Sequence, residues 1–265
     1  MELPGKTALL TGATGGLGRA IAHSLAGRGV TLILSSRKAE ALEQLAGALP
    51  GSGHRSIVSD LGEDAAAVNL VAEAGEIDIL IANAGLPATG QLDELSHDEV
   101  GRPLRVNLEA PIRMARDVIP PMRARGSGHI VLVASLAGKV ASLRASIYSA
   151  TKFGLRGFGL ALREDLHGTG IGVSVVLPGF VRDAGMFADS GAKLPPGVGT
   201  ASPEEVAEGV LKAIEYNKAE VDVAPLQQRL LVGFAHRHPG LAARIQRRGG
   251  TKIADDITAG QTDKR

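Results

Sequence analysis

Cysteine and tryptophan are absent from the 265 residues. No disulfide, thiolate metal site or cysteine nucleophile is therefore available. Aromatic residues make up only 3%, two Tyr and five Phe, too few for the stacking platforms that single-stranded nucleic acid needs. Neither sign of charge is in real excess: 29 Lys and Arg face 28 Asp and Glu, a formal net charge of +1. No global field recruits nucleic acid or an anionic membrane. The seven His and the carboxylates show neither HExxH nor EF-hand spacing, so no metal is expected. No apolar run approaches the ~18 residues of a membrane span. The start, Met1-Glu2-Leu3-Pro4-Gly5-Lys6, has no charged segment leading into an apolar one, so no signal peptide is expected. These absences lead us to expect a soluble, cytoplasmic chain, at most peripherally attached to a membrane.

What is present is a globular composition, 44% hydrophobic and 22% charged, with a strict alternation of segments. Short apolar runs occupy 7–10, 30–34, 57–58, 77–82, 130–134, 173–177 and 221–224. Longer stretches of helical period lie between them at 17–26, 39–49, 65–74, 108–125, 149–166 and 203–216. The runs are rich in Val, Ile and Leu without polar alternation, as in strands buried on both faces. Strand, helix, strand, helix predicts a doubly wound, Rossmann-type α/β fold: a mainly parallel seven-stranded sheet with helices on both faces. Its ligand crevice belongs at the C-terminal strand ends. We expect one domain over residues 1–225 and a C-terminal extension over 226–265. The Gly- and Pro-rich stretch 185–202 reads as a mobile loop over the crevice, and 255–265 as a frayed end.

Thr11-Gly12-Ala13-Thr14-Gly15-Gly16-Leu17-Gly18 follows the first strand and opens the first helix. Glycines let the backbone approach a pyrophosphate, and the helix N-terminus offers unpaired N–H groups. The spacing departs from GxGxxG, and a plain strand-to-helix turn would use the same glycines. The second strand ends Leu34-Ser35-Ser36-Arg37-Lys38, with no acid before Glu40. A ribose 2′-hydroxyl wants a carboxylate there, whereas a 2′-phosphate wants an Arg. Ser36 and Arg37 therefore favour NADP(H) over NAD(H), against the alternative of a solvated helix start. Asp60-Leu61 and Asn83-Ala84-Gly85 end the third and fourth strands, where each alone is an ordinary turn or cap.

Tyr148 and Lys152 stand four apart on a predicted helix and so share a face. A phenol with a pKa near ~10 exchanges protons poorly at neutral pH. A cation ~4 Å away, at an effective dielectric near ~20, contributes about 4 kcal/mol, or roughly three pKa units. Ser135 follows the fifth strand directly and is expected to point its hydroxyl into the same crevice.

These residues together resemble the short-chain dehydrogenase/reductase superfamily over most of residues 6–224. Thr11-Gly12-x-x-x-Gly16-x-Gly18 looks like its cofactor turn, and Asn83-Ala84-Gly85 like its Asn-Ala-Gly motif. Asn107, Ser135, Tyr148 and Lys152 fall where the family keeps its catalytic tetrad, and Pro178-Gly179 where it has its turn beside the nicotinamide. The resemblance implies an oxidoreductase acting on a small carbonyl or alcohol. Tyr148 would be the proton donor or base, and Lys152 would lower its pKa and bind the nicotinamide ribose. Ser135 would polarise the substrate oxygen, and Asn107 would hold a water linking Lys152 to solvent. Cofactor contacts are expected from Gly12, Thr14, Gly15, Gly16, Leu17, Gly18, Ser36, Arg37, Asp60, Leu61, Asn83, Ala84, Gly85, Tyr148, Lys152, Pro178, Gly179 and Val181. A homo-oligomer, dimer or tetramer, is expected. The rival readings are a catalytically silent cofactor-binding regulator and a peripheral membrane-associated lipid ketone reductase.

Three departures stand out, the mildest being Ala134 in place of a common Ser ahead of Ser135. Asp183 occupies the position at which the family usually has a Thr bonding the carboxamide; an acid there could accept from the amide nitrogen. Pro103 falls early in the helix that carries Asn107, behind the capping-box pattern Ser96-x-x-Glu99, and should kink that helix or delay its start. In the extension, no acid occurs between Val223 and Ala254, while Arg229, Arg237, Arg244, Arg247, Arg248 and Lys252 do. Leu226, Leu230, Leu231, Phe234, Leu241 and Ile245 recur near helical spacing around Pro239. This segment either closes the substrate pocket or a subunit interface, or touches an anionic membrane. Phe187, Leu194, Val198, Leu226 and Phe234 suggest an apolar substrate.

Overall fold

A computed structural model describes residues 1–194, 198–249 and 251–261 of the chain. In chain order it contains β1 (Thr7–Thr11), α1 (Gly16–Ala26), β2 (Thr31–Ser36), α2 (Ala39–Ala48), β3 (Arg55–Val58), α3 (Ala66–Ala74) and β4 (Ile79–Ala82). Then come α4 (His97–Leu104), α5 (Ala110–Arg125), β5 (Gly128–Val133), α6 (Ser146–Asp165), β6 (Ile171–Pro178) and α7 (Gly185–Ser190). The chain continues with α8 (Pro203–Glu215), β7 (Glu220–Val223), α9 (Leu226–Arg237), α10 (Pro239–Gly249) and α11 (Thr251–Ala259).

The seven strands form one sheet in the order β3-β2-β1-β4-β5-β6-β7, and every adjacent pair is parallel. The order reverses direction between β1 and β4, which opens the crevice at their C-terminal ends. Successive side chains of a strand point to opposite faces, and the apolar runs feed two cores. Ala8 and Leu10 of β1 join Val131 and Val133 of β5 beneath α1, α2 and α8. Leu9, Ile130 and Leu132 join the opposite layer beneath α3, α5 and α6. Strands buried on both faces explain why the sequence shows no polar alternation.

Three features differ from the sequence reading. The stretch 185–202 begins with a helix, α7. The end is not frayed as far as it is described: α11 is helical, Asp255 pairs with Arg144 at 2.9 Å, and Gln261 is buried. Residues 262–265 of that expectation lie outside the described residues. The helix carrying Asn107 starts earlier than expected, at α4, where Ser96 and Glu99 form the capping box. Pro103 sits in the last turn of α4, and a widened π turn, Arg105–Glu109, joins α4 to α5. Proline withholds an N–H from the ladder, and single π turns often mark functional positions; here the turn carries Asn107.

Candidate active site

The glycine turn is shaped by close backbone approach. Gly12 has φ +66°, and a Cβ there would stand 2.8 Å from the Ala84 Cα. A Cβ at Gly18 would strike the Gly12 carbonyl, whereas one at Gly15 would meet nothing closer than that carbonyl at 3.4 Å. The mouth of the turn is therefore open on the Gly15 side. No side chain caps the N-terminus of α1, and its first turn carries no acid. This leaves backbone N–H groups and the positive helix end available to an anion. The Thr14 carbonyl accepts from Arg19 Nε at 3.1 Å, and Leu17 packs against the core beneath.

The turn is tied to β4 through a knot that the sequence did not advertise. The Thr11 hydroxyl accepts from the Asn83 and Ala84 N–H groups, both at 3.1 Å. Asn83 Nδ2 donates back to the Thr11 and Gly12 carbonyls at 3.0 and 3.3 Å. The Asn83 amide group is thus committed to positioning two strand ends, and Gly85 follows beside Lys152 and Asn107.

At the far end of the crevice, Arg37 is exposed, and the Ser36 hydroxyl accepts from Lys38 N at 3.2 Å. Asp60 receives both of its oxygens' bonds from Arg102 Nη2, at 2.9 and 2.7 Å, and a third from Gly62 N. Burial opposes ionisation of Asp60, but the Gly62 and Arg102 hydrogen bonds and the charges of Arg102 and Arg37 outweigh it, holding the pKa below its usual value. Arg102 had no signal in the sequence. It neutralises Asp60, so an anionic group beside Arg37 meets little repulsion. Leu61 is buried in the core.

Ser135, Tyr148 and Lys152 meet at the C-terminal end of β5. Ser135 follows β5 in extended conformation; its hydroxyl accepts from Ala137 N at 3.1 Å and donates to the Pro178 carbonyl at 3.4 Å. It also lies beside the Tyr148 phenol and favours its ionised form. Lys152 is buried, and its ammonium donates to the Val133 carbonyl at 3.1 Å while standing 5.6 Å from the Tyr148 ring centre. Desolvation lowers its pKa to about 8.

The Tyr148 phenol behaves differently from the sequence expectation. Enclosure by protein raises its pKa above the usual value, and Ser135 beside it offsets only part of that rise. The four-residue spacing places Lys152 beside the ring, with one of its protons spent on the Val133 carbonyl. Asn107 is fully buried: Oδ1 accepts from Leu86 N at 2.7 Å, and Nδ2 donates to the Leu86 carbonyl at 2.9 Å and to Thr151 Oγ1 at 3.4 Å. Here it fastens the chain after β4 to α6.

The crevice is roofed by α7. Its approach places Ala184 directly on Gly16, and Met186 Cε would lie 3.4 Å from a Cβ on Gly85. Phe187 packs on Phe180, with ring centres 4.9 Å apart, next to Pro178 and Gly179. Val181 is buried in the core. Asp183 does not face the crevice as an acceptor: its side chain is 71% exposed and pairs with Arg182 at 3.4 Å. Its φ is +66°, a region that Asp tolerates and a β-branched Thr does not. Leu226 and Phe234 are exposed on α9, and so do not line a pocket as the sequence suggested.

Comparison with known proteins agrees with this geometry. Residues 6–194 match the family model described as short chain dehydrogenase. The chain is 40% identical over 227 residues to the ketoacyl reductase HetN of Nostoc sp., covering 83% of this chain and 79% of that protein. It is 31% identical over 256 residues to dehydrogenase/reductase SDR family member 7B of Bos taurus, covering 89% and 79%. A solved short-chain dehydrogenase from Sphingobium yanoikuyae in complex with NADPH superposes with a TM-score of 0.78, at 28% identity, over 90% of this chain and 95% of that one.

Proposed function

Because the chain belongs to the short-chain dehydrogenase family and is an NAD(P)-dependent dehydrogenase/reductase, we propose that it reduces an apolar ketone with NADP(H), forming a secondary alcohol. The observation that carries this reading is the meeting of Ser135, Tyr148 and Lys152 at the end of β5, with Arg37 at the other end of the same crevice. The residues present fit the dinucleotide. The open glycine turn and the uncapped α1 would receive the pyrophosphate. Arg37 with Ser36 would receive a 2′-phosphate, next to an Asp60 already neutralised by Arg102. Gly85, Lys152, Pro178 and Gly179 border the end where the nicotinamide belongs. The bound cofactor would supply the hydride.

The chain's own residues handle the proton and the oxygen. A carbonyl oxygen within reach of Tyr148 Oη and Ser135 Oγ accepts hydrogen bonds from both, which favours the negative charge developing there. Tyr148 then gives up its proton, and the product is the alcohol. Its raised pKa keeps the phenol protonated at neutral pH, as a donor requires. Lys152, titrating at about 8, carries a proton it can exchange in the working range. The apolar roof, Met186 and Phe187 on Phe180, and the relative named as a ketoacyl reductase support this substrate class.

Consumption of NADPH with 3-ketoacyl thioesters and with aliphatic ketones of graded length tests the proposal. Turnover that rises with chain length and vanishes in Tyr148→Phe is expected. Dinucleotide binding with no turnover across that panel would instead indicate a silent cofactor-binding regulator.

A further inference from the structure

A surface helix normally turns its apolar stripe inward; α9 packs Val232 and Ala235 inward but carries a longer apolar row outward. Gln228 and Ala235, seven residues apart, are its buried positions. Leu226, Leu230 and Phe234, at four-residue steps along the opposite side, are 66%, 65% and 42% exposed. Leu231 and, on α10, Leu241 extend the same exposed apolar surface. Arg229, Arg237, Arg244 and Arg247 are exposed around it. The side chains of Ile245, Arg248 and Lys252 lie outside the described residues. Within the segment itself no Asp or Glu occurs between Val223 and Ala254.

We propose that this face of α9 and α10 docks on an anionic lipid surface. Leucine and phenylalanine on one side of a helix, bordered by arginines, match an acyl layer beneath acidic headgroups. A second copy of the chain matches less well. A twofold contact would set the same cation-rich face against itself, with no carboxylate in the segment to pair the arginines.

The inner side of α9 shows where docking would act. Gln228 lies against Gly179 and donates to the Gly199 carbonyl, and His236 Nδ1 lies 3.2 Å from the Lys139 carbonyl. On α10, Gln246 donates to the Ala141 carbonyl at 3.2 Å. These contacts seat the extension on the turns after β5 and β6, beside the crevice. A lipid layer on the outer face would therefore border the mouth of the site, and the ketone would be one held in that layer. This consequence for the substrate rests on the reductase reading given above; the docking surface does not.

Co-sedimentation of the full chain with vesicles separates the two. Binding is expected to equimolar phosphatidylserine and phosphatidylcholine, weakened by salt, and not to phosphatidylcholine alone. Replacing Leu230 and Phe234 together by Gln should cut partitioning about tenfold or more. Replacing Arg237 and Arg244 by Gln should cut it about fivefold per cation. Both variants change exposed positions, so melting temperature and turnover on a water-soluble ketone should remain. No binding of the unmutated chain to anionic vesicles overturns the proposal, as does binding indifferent to both variants. Loss of self-association in the Leu230 and Phe234 variant, with no vesicle binding by the unmutated chain, assigns the face to a second copy and also overturns it. Vesicle binding without turnover on any carbonyl would leave docking intact and remove the reductase reading.

Discussion

The buried Lys152 ammonium donates to the Val133 carbonyl at 3.1 Å, the last carbonyl of β5 and two residues from Ser135. That bond fixes the cation beside the Tyr148 ring, and desolvation lowers its pKa to about 8. The group is cationic below that value and neutral above it. Carbonyl reduction should therefore fall as pH rises through about 8. A pH–rate profile of Lys152→Met should lose this inflection, and its turnover should be lower throughout. The same inflection surviving in the variant would assign it to another group.

Tyr148→Phe removes only the hydroxyl, which lies beside Ser135. Turnover should fall by ~10²–10⁴-fold, the usual worth of general acid catalysis, while NADPH affinity stays within about twofold because the ring is retained. Near-normal turnover on a verified ketone would remove the phenol from the mechanism.

Arg37 is exposed beside an Asp60 whose charge Arg102 already answers. A charged hydrogen bond is worth about 1.5–3 kcal/mol, so Arg37→Ala should weaken NADPH about ten- to a hundredfold and leave NADH nearly unchanged. Calorimetric titration of both cofactors decides it. Equal affinity for the two in the unmutated protein would contradict the assigned preference.

Gln261 joins the tail to both sides of the roof. Its Oε1 accepts from Thr89 Oγ1 at 3.0 Å, and its Nε2 donates to the Met186 carbonyl at 3.0 Å. Both bonds involve buried or part-buried groups, and losing a buried partner costs about 1–3 kcal/mol. In Gln261→Ala, amide exchange in α7 should quicken by roughly the corresponding factor, while exchange in β1 and β5 stays as it was. Unchanged protection of α7 would show that the roof is held by its apolar contacts.

His129 lies buried with Nε2 2.9 Å from Ser174 Oγ, which spends its own proton on the Ala213 carbonyl. Nε2 must then carry a proton and donate it to Ser174. Burial, reinforced by the positive N-terminus and Arg163, lowers its pKa to about 3. The unfolded chain binds the extra proton below about 6.5, so folding stability falls as pH drops from there towards 3. Between about pH 7 and pH 5 the loss should be about 2 kcal/mol. Denaturant melts of His129→Gln should show a slope shallower by that amount, whatever the variant's absolute stability.

The sequence by itself determined the order of strands and helices, the glycine turn and the Ser135, Tyr148 and Lys152 group. Each is written in local terms. A strand buried on both faces needs a continuous apolar run, a tight turn at Gly12 needs a residue without Cβ, and four residues along α6 place two side chains on one face. The tertiary structure alone decided what these groups touch. Arg102 reaches Asp60, Asn107 closes on Leu86, and Gln261 meets Thr89; these partners are far apart in the chain, and no periodicity announces them. It also decided the electrostatics. Four-residue spacing cannot say that Lys152 is buried or that the Val133 carbonyl anchors it at the end of β5. The outward face of α9 was legible as a helical repeat of leucines, but its direction was not. Direction depends on which side of the helix the rest of the molecule covers, and here that side carries Gln228, Val232 and Ala235.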